Sequence, residues 1–198
     1  MKNIKSALIS VFDKEGLEPL IRILNDNGVI IYSTGGTEIF IKNLGIEVTS
    51  VESITDYPSI LGGRVKTLHP KVFGGILNRR EIDKDQIEIN EYQIPEIDMV
   101  IVDLYPFSAT AEDILSTHQE IIEKIDIGGV SLIRAGGKNY KDVFIVSNKN
   151  QYNQVCDMLI SQNGSTTLEQ RMNFAGESFE LTNKYDYEIA KYFLKVTK

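Results

Sequence analysis

The first fifty residues alternate between short apolar segments and segments whose apolar residues recur at helical spacing. Residues 7–12 (ALISVF) form an apolar run, and residues 16–28 then place apolar side chains from Leu17 to Leu24 on one helical face. A second strand, a second helix and a third strand follow at residues 29–33, 37–45 and 46–52. Strands and helices that alternate at such short spacing predict a parallel sheet flanked by helices.

Two later segments extend this sheet. Residues 98–107 (DMVIVDLYPF) and 142–147 (DVFIVS) are almost continuously apolar, which is typical of strands buried on both faces. Residues 53–80 contain several glycines and prolines, and we interpret them as an irregular functional segment with one short helix. The tail from Thr166 onward has apolar residues at helical spacing and is predicted to be helical.

Composition narrows the class of protein. A chain of 198 residues that is 42% hydrophobic can form one sizeable core, so we expect a single domain over residues 1–198. The formal net charge of −7 gives no general attraction to nucleic acid or to an anionic membrane. With one cysteine, no leader sequence and no apolar run of spanning length, we expect a soluble cytoplasmic protein. Two histidines without zinc-ligand spacing argue against a metal site.

The stretch IIYSTGGTEIF, residues 30–40, leads from a strand through hydroxyl and glycine residues into a helix. A helix N-terminus with close backbone approach favours an anion, most simply a phosphate. Ser33, Thr34 and Thr37 could donate hydroxyl hydrogen bonds to it, and Thr37 could cap the helix. An ordinary strand-to-helix turn is an equal alternative for this stretch alone, because neither the dinucleotide nor the P-loop pattern is matched.

Two cationic segments favour the phosphate interpretation. Ser10 and Lys14 follow the first strand, at the sheet edge where the second strand also ends. Residues 61–70 (LGGRVKTLHP) concentrate Arg64, Lys66, Thr67 and His69 in an otherwise acidic chain, although a plain surface loop is the alternative. For His69 we favour a structural hydrogen bond beside the following proline.

Two further segments carry potential chemistry. Tyr105 ends the strand at 98–107 on the ligand-bearing edge and could donate to a substrate oxygen, or could simply cover the core. Residues 125–139 (IDIGGVSLIRAGGKN) place Asp126 before a glycine pair and Lys138 after a short helix. If brought face to face, this carboxylate and lysine could shuttle a proton, or form a structural ion pair.

Five motifs in this order, SVFDKEGL, STGGT, GGRVKTLHPKVFGGIL, VDLYPF and IDIGGVSLIRAGGKN, closely resemble the inosine monophosphate (IMP) cyclohydrolase domain of the bifunctional AICAR transformylase/IMP cyclohydrolase family. The resemblance extends over essentially the whole chain. It implies a methylglyoxal-synthase-like α/β fold, a three-layer α/β/α sandwich with a central parallel sheet of about five strands and C-terminal helices. The implied reaction closes the ring of 5-formamidoimidazole-4-carboxamide ribonucleotide (FAICAR) to IMP with loss of water, without cofactor or metal.

The resemblance also implies roles for individual residues. Lys66 would stabilise the formyl oxygen, while Tyr105, Asp126 and Lys138 would relay protons. The matched positions of the nucleotide-phosphate cradle are Ser10, Lys14, Ser33, Thr34, Gly35, Gly36 and Thr37. Matched positions that line the nucleotide site are Arg64, Thr67, Ile127, Gly128 and Gly129.

Some features depart from the family pattern. Phe12 stands where many relatives have a hydroxyl residue, Phe73 where a histidine is common, and the pair at 136–137 replaces alanines. We expect no transformylase domain within the chain, which would be either an excised domain or a free-standing enzyme, and either a monomer or a weak homodimer. The competing interpretations are a methylglyoxal-synthase-like lyase and a non-catalytic regulatory nucleotide-binding module.

Overall fold

A computed structural model describes residues 1–197 of the chain. The strands, in chain order, are β1 (Lys2–Asn3), β2 (Ser6–Ser10), β3 (Ile30–Ser33), β4 (Thr49–Ser50), β5 (Met99–Val102), β6 (Phe144–Val146) and β7 (Ser165–Thr166). The helices are α1 (Leu17–Asp26), α2 (Gly35–Asn43), α3 (Val51–Thr55), α4 (Pro70–Leu77), α5 (Asp83–Glu91), α6 (Phe107–Glu112), α7 (His118–Ile122), α8 (Gly128–Lys138), α9 (Tyr152–Ser161) and α10 (Leu168–Val196). Short 3-10 turns lie at Leu61–Gly63 and Lys149–Gln151.

Five parallel strands form the central sheet in the order β4-β3-β2-β5-β6. In the register, Ile9 of β2 lies opposite Ser33 of β3 and Ile101 of β5. From β2 the chain proceeds to one edge of the sheet, and it later adds β5 and β6 on the other side. The order therefore reverses between β2 and β5, which is where open α/β sheets bind ligands beyond the carboxyl ends of their strands.

Helices cover both faces of the sheet. Right-handed crossovers that run in opposite directions along a sheet place their helices on opposite faces, so α1 and α8 lie on different sides. On one side α1 packs against α9, and on the other α8 packs against α4 and α10. The predicted sandwich of three layers, with a parallel sheet of five strands and C-terminal helices, is confirmed.

The sheet interior explains why its strands are apolar throughout. Residues 99–102 of β5 are all at most 1% exposed, and Ala7, Leu8 and Ile9 of β2 are fully buried. Because both faces meet helices, no alternation of polar and apolar residues is needed.

Several segments differ from the sequence prediction. The strand predicted over 98–107 is shorter, because β5 ends at Val102 and Tyr105 lies in the loop that follows it. The third strand is predicted over 46–52, but β4 contains only Thr49 and Ser50, because the Ser50 hydroxyl accepts a hydrogen bond from the Ser53 N–H and starts α3. A second sheet, the antiparallel pair β1–β7, is not predicted at all and joins the start of the chain to the entry of α10.

The C-terminal segment is helical as predicted, as one helix of 29 residues. Arg171, which is 5% exposed, anchors this helix because its guanidinium donates to the carbonyl oxygens of Thr166, Tyr140 and Lys141. Within residues 1–197, none of the helices has the length and apolar character that crossing a membrane requires.

Candidate active site

A cavity of about 740 Å³ opens at the carboxyl ends of β2, β3 and β5, where the strand order reverses. It is large enough for a nucleotide-sized ligand. Most of the predicted site residues line it, namely Ser10, Lys14, Thr34, Gly36, Thr37, Arg64, Lys66, Thr67, Tyr105, Asp126, Ile127, Gly128 and Gly129. The fold thus gathers residues from five separate motifs around one space.

The start of α2 faces this cavity without a side-chain cap. Thr34 occupies the N-cap position in extended conformation, but its hydroxyl donates to Glu52 Oε1 at 3.0 Å instead of accepting from the helix. Gly35 follows with φ of +57°, a left-handed conformation that favours glycine. In the described part of the chain no side chain caps α2, so its first N–H groups and its positive dipole end remain open to an anion.

All three predicted phosphate-binding hydroxyls donate to other groups in this structure, Thr34 to Glu52 and the other two to backbone carbonyls. The Ser33 hydroxyl donates to the carbonyl of Ile9 at 2.7 Å, and Ser33 is fully buried outside the cavity lining. The Thr37 hydroxyl donates to the Val11 carbonyl at 2.9 Å and accepts from the Val11 N–H at 3.1 Å. The prediction that Thr37 caps α2 is therefore wrong, because this hydroxyl faces β2 and ties the loop after that strand to the helix.

Two ammonium groups converge on the glycine pair that begins α2. A Cβ added at Gly35 would lie 3.0 Å from Lys66 Nζ, and one added at Gly36 would lie 3.7 Å from Lys14 Nζ. Lys14 Nζ also donates to the Phe12 carbonyl at 2.8 Å, which fixes its position. Two positive charges beside an uncapped helix N-terminus form a strong anion site.

The GGRVKTLHP segment also supplies the edge of the cavity. Arg64 forms an ion pair with Glu123, and Gln119 Nε2 donates to the same carboxylate at 3.0 Å. Thr67 is buried, and its hydroxyl oxygen would lie 3.1 Å from a Cβ added at Gly128, so it packs directly against the start of α8.

Asp126 is held just before α8. Its Oδ1 accepts from the Gly129 N–H at 2.7 Å, while its own N–H donates to the Tyr185 hydroxyl at 2.9 Å. Burial raises the pKa of Asp126, and the nearby charge of Asp103 raises it further. The Gly129 N–H and the Lys66 ammonium lower this pKa, but the net direction is upward. Asp126 is therefore a stronger base than an exposed aspartate.

Tyr105 lies beside this carboxylate with its side chain partly open to the cavity. Burial raises the pKa of Tyr105, and the charges of Asp126 and Asp103 raise it further, so the phenol keeps its proton and acts as a donor. Its ring meets Phe12 edge-to-face at 5.3 Å between centroids. Lys124 Nζ lies over both rings, 5.5 Å from that of Phe12 and 5.9 Å from that of Tyr105.

The structure does not bring Lys138 to Asp126. Lys138 is exposed at the last position of α8, whereas Asp126 precedes its first residue, Gly128. At the rise of an α-helix, the two ends of α8 are about 15 Å apart. The face-to-face arrangement that the sequence left open is therefore not found in this structure, and a catalytic role for Lys138 stays a prediction from the resemblance. Gly35, like Ser33, is absent from the cavity lining.

His69 is structural, as interpreted from the sequence. Its Nδ1 accepts from the Lys71 N–H at 3.2 Å and so caps α4, whose first residue is Pro70. Within residues 1–197, no group of three or more His, Cys, Asp or Glu side chains could hold a metal ion.

Sequence reasoning missed Asp103, which lines the cavity and accepts hydrogen bonds from the backbone N–H groups of Phe12 and Asp13. Its signal is its place at the end of β5, two residues before Tyr105. It also missed Glu123 and Tyr185, which act across long sequence separations and leave no local pattern.

Two family models match the chain. The MGS-like domain matches residues 16–131, and the AICARFT/IMPCHase bienzyme matches residues 136–198. A solved structure described as that of ForH superposes with a TM-score of 0.82 at 34% identity, over 95% of this chain and 96% of that one.

Curated relatives carry the description "Bifunctional purine biosynthesis protein PurH". The protein from Bacteroides thetaiotaomicron is 55% identical over 97% of this chain and 38% of its own length. That from Rhodopirellula baltica is 47% identical over 96% of this chain and 36% of its own length. The chain thus spans less than two fifths of the length of these relatives. Because the MGS-like domain model matches more than half of its residues, the chain belongs to the MGS-like domain family, and its C-terminal part matches the AICARFT/IMPCHase bienzyme.

Proposed function

We propose that this chain is an IMP cyclohydrolase that closes the ring of FAICAR to IMP with loss of water, in the cytoplasm and without cofactor. One observation carries the proposal. A single cavity has an uncapped helix start with two lysine ammonium groups at one end, and the couple of Tyr105 and Asp126 at the other. The purine-biosynthesis relatives favour a purine nucleotide as its ligand.

The first end would bind the 5′-phosphate of the nucleotide. The open N–H groups at the start of α2 supply directed donors, and Lys14 beside Gly36 supplies charge. These local groups overcome the overall negative charge of the chain, because a helix N-terminus and a nearby ammonium act over a few ångströms while distant charges are screened.

Ring closure removes two protons from nitrogen atoms and delivers two protons to the formyl oxygen, which leaves as water. The carboxamide nitrogen forms a bond to the formyl carbon and gives up one proton, while the formyl oxygen gains a proton and becomes a hydroxyl. The hydroxyl then leaves as water together with the proton of the former formamide nitrogen, which leaves a C=N bond. Because both reactants belong to one molecule, the protein chiefly fixes their orientation.

The two polar side chains at the second end suit these steps. Asp126, whose pKa is raised, would accept the proton from the carboxamide nitrogen. Tyr105, which keeps its proton, would hold the departing oxygen by a hydrogen bond, and the protonated Asp126 would pass its proton to that oxygen. Lys66 lies between the start of α2 and Asp126, where it would stabilise negative charge on the formyl oxygen.

Lys138 lies away from the position where Tyr105, Asp126 and Lys66 would meet the substrate. Its place at the far end of α8 supports no contact with the same reacting atoms. A catalytic role would require a rearrangement of the last turn of α8, where Gly136 and Gly137 lower helix propensity. Tyr105, Asp126 and Lys66 therefore form the core of the proposed machinery.

The test is an absorbance time course of the purified chain with FAICAR, without folate or metal. We expect conversion to IMP by the wild type and loss of about 10²–10³-fold in kcat for Lys66→Ala, as for removal of an oxyanion donor. The matched control is Lys71→Ala, because Lys71 lies on α4 and pairs with Asp56 at 3.3 Å outside the cavity. Tight IMP binding without turnover would contradict the proposal and favour a regulatory nucleotide-binding module.

The assembly state is also a proposal. We propose that the isolated chain is a monomer or a weak homodimer. Its partner would be an AICAR transformylase domain, either covalently joined to it or on a separate chain. Sedimentation of the isolated chain that shows a tight dimer at low concentration would contradict this proposal.

A further inference from the structure

We propose that Asp103 is a positioning residue that holds the loop between β2 and α1, residues 11–16, which carries Lys14, against the proton-transfer end of the cavity. The kinetic part of this inference rests on the proposed function, whereas the binding part does not. Asp103 directly follows β5, and the loop directly follows β2, so the residue bridges two neighbouring strands of the sheet.

The contact between Asp103 and the loop uses both carboxylate oxygens. Oδ1 accepts from the Phe12 N–H, and Oδ2 accepts from the Asp13 N–H at 2.9 Å. These two N–H groups directly precede Lys14, whose ammonium lies at the start of α2. The side chain that supplies the phosphate charge is thus carried on backbone that Asp103 fixes.

The chemistry of this contact calls for a carboxylate. Two N–H donors need two acceptor oxygens, and a carboxylate offers both without a donor of its own. An asparagine would turn its amide NH₂ toward one of the two N–H groups, where two donors would meet. Asp103→Asn therefore keeps the shape of the side chain and removes one of its two bonds to the loop.

Asp103 also faces the charged groups of the site. The loop presents Asp13 and Lys14, and α9 presents Tyr152. On the cavity side lie Tyr105 and Asp126, and Lys66 in turn faces Asp126. Burial raises the pKa of Asp103, which the two loop N–H groups oppose. The charge of Asp103 contributes to the raised pKa of both Asp126 and Tyr105.

The experiment compares Asp103→Asn with Asp13→Asn, which removes the same charge from the neighbouring loop. Asp13 pairs with Lys149 at 2.6 Å and lies outside the cavity lining, so its variant keeps both bonds to Asp103. For Asp103→Asn we expect KM for FAICAR, and the Kd for IMP measured by calorimetry, to rise about tenfold or more because the loop shifts. For Asp13→Asn we expect changes below threefold in both constants.

A pH profile separates this role from a merely structural one. Removal of the Asp103 charge lowers the pKa of Asp126, so the acidic limb of kcat/KM moves to lower pH in Asp103→Asn and stays in place in Asp13→Asn. Asp103→Glu provides a second variant, because it keeps the charge and both oxygens but displaces them. It should raise KM while the acidic limb shifts less than in Asp103→Asn.

Unchanged KM and Kd in both Asp103 variants, with an unmoved acidic limb, would overturn the inference. If Asp103→Asn does not fold, the Kd for IMP is measured in Asp103→Glu instead. An unchanged Kd in that variant would overturn the inference as well. A wild type that binds IMP but does not turn over FAICAR would defeat the proposed function alone. The Kd ratio between the variants would then still decide the role of Asp103.

Discussion

Two helices of this protein begin with a Gly–Gly pair and point their N-termini into the same cavity, yet they differ in what satisfies their first N–H groups. The start of α2, at Gly35, has no side-chain cap in the part of the chain that the structure describes, and Lys14 and Lys66 lie beside it. The start of α8, at Gly128, is occupied by the carboxylate of Asp126, which accepts from the Gly129 N–H.

This difference shows that a glycine pair at a helix start does not by itself define a binding site. An open N-terminus with cations nearby retains its capacity for an anionic ligand. An N-terminus that already holds a carboxylate of the chain fixes that carboxylate in place instead, where it can act on a ligand. We therefore assign binding to the α2 end of the cavity and proton transfer to the α8 end.

The largest effect is expected for Asp126→Asn. Asparagine keeps an oxygen for the Gly129 N–H but cannot accept a proton from the substrate, so kcat should fall by about 10²–10⁴-fold. KM should change little, since the phosphate binds at the other helix. Steady-state kinetics with FAICAR check this, and a KM that rises as much as kcat falls would argue against the division of roles.

The stability of the same variant provides its folding control. Because burial raises the folded-state pKa of Asp126, its contribution to stability is present below the unfolded pKa and is lost as the pH rises through the folded pKa. Ionised Asp126 thus costs stability at neutral pH. We expect the melting temperature of Asp126→Asn at pH 7 to equal or exceed that of the wild type, measured by calorimetry.

The next largest effect is expected for alanine substitutions of the glycines that begin the two helices. A Cβ added at Gly129 would collide with the Asp126 carboxylate and would lie 3.0 Å from Leu104 Cδ2. Displacing the carboxylate by about 1 Å should lower kcat by about a hundredfold in Gly129→Ala. The paired variant Gly35→Ala, where φ is +57° and the new atom meets Lys66 Nζ at 3.0 Å, strains the start of α2 and should raise KM, with a smaller fall in kcat from the displaced Lys66. Equal effects of both variants on kcat would contradict the comparison.

A smaller effect is expected for Lys14→Met. Methionine keeps the length of the side chain but removes the charge, and a hydrogen bond to a charged group contributes about 1.5–3 kcal/mol. KM for FAICAR should therefore rise by about 10–100-fold while kcat stays within a few-fold. Salt should raise KM in the wild type more than in the variant. A fall of kcat at constant KM would place Lys14 in the chemistry instead.

The pH dependence tests the α8 end without a mutation. If Asp126 acts as the base, kcat/KM falls as the pH drops through its raised pKa, so the acidic limb should lie above the ordinary aspartate value of 3.8. The raised pKa of Tyr105 places loss of its proton above the ordinary tyrosine value of 10.0. An acidic limb at or below the ordinary aspartate value would remove Asp126 from this role.

The smallest effect is expected for His69→Ala, which lies in the same motif as Lys66 but outside the cavity. Loss of the N-cap of α4 should cost about 1 kcal/mol and lower the melting temperature by about 2–4 °C. Turnover should change less than threefold. A large loss of activity in a folded variant would show that His69 contributes to the site.

How much of the fold and of the site could be predicted from the sequence depended on how far apart in the chain the contacting residues lie. The parallel sheet and its flanking helices follow from local periodicity, and the site residues follow from motifs at strand ends. The roles of Ser33 and Thr37 did not follow, because their hydroxyls bond to Ile9 of β2 and to Val11 just after it, which are distant in sequence. Asp103 accepts hydrogen bonds from a loop about ninety residues away, and no local sequence pattern predicts such a contact.

The separation of Asp126 and Lys138 illustrates a second limit. The motif IDIGGVSLIRAGGKN places them in one short stretch, but most of that stretch forms a helix of eleven residues. Proximity in sequence then becomes distance in space, because each helical residue adds about 1.5 Å along the axis. A glycine-rich motif can equally form a tight turn, which would bring the two side chains together.

The most direct test of the account is the Kd for IMP, measured by titration calorimetry, in the wild type, Lys14→Met and Asp126→Asn. We predict that Asp126→Asn binds IMP as tightly as the wild type although its kcat for FAICAR falls by about 10²–10⁴-fold, and that Lys14→Met binds at least about tenfold more weakly. Equal loss of IMP affinity in both variants would contradict the assignment of binding to the α2 end and of proton transfer to the α8 end.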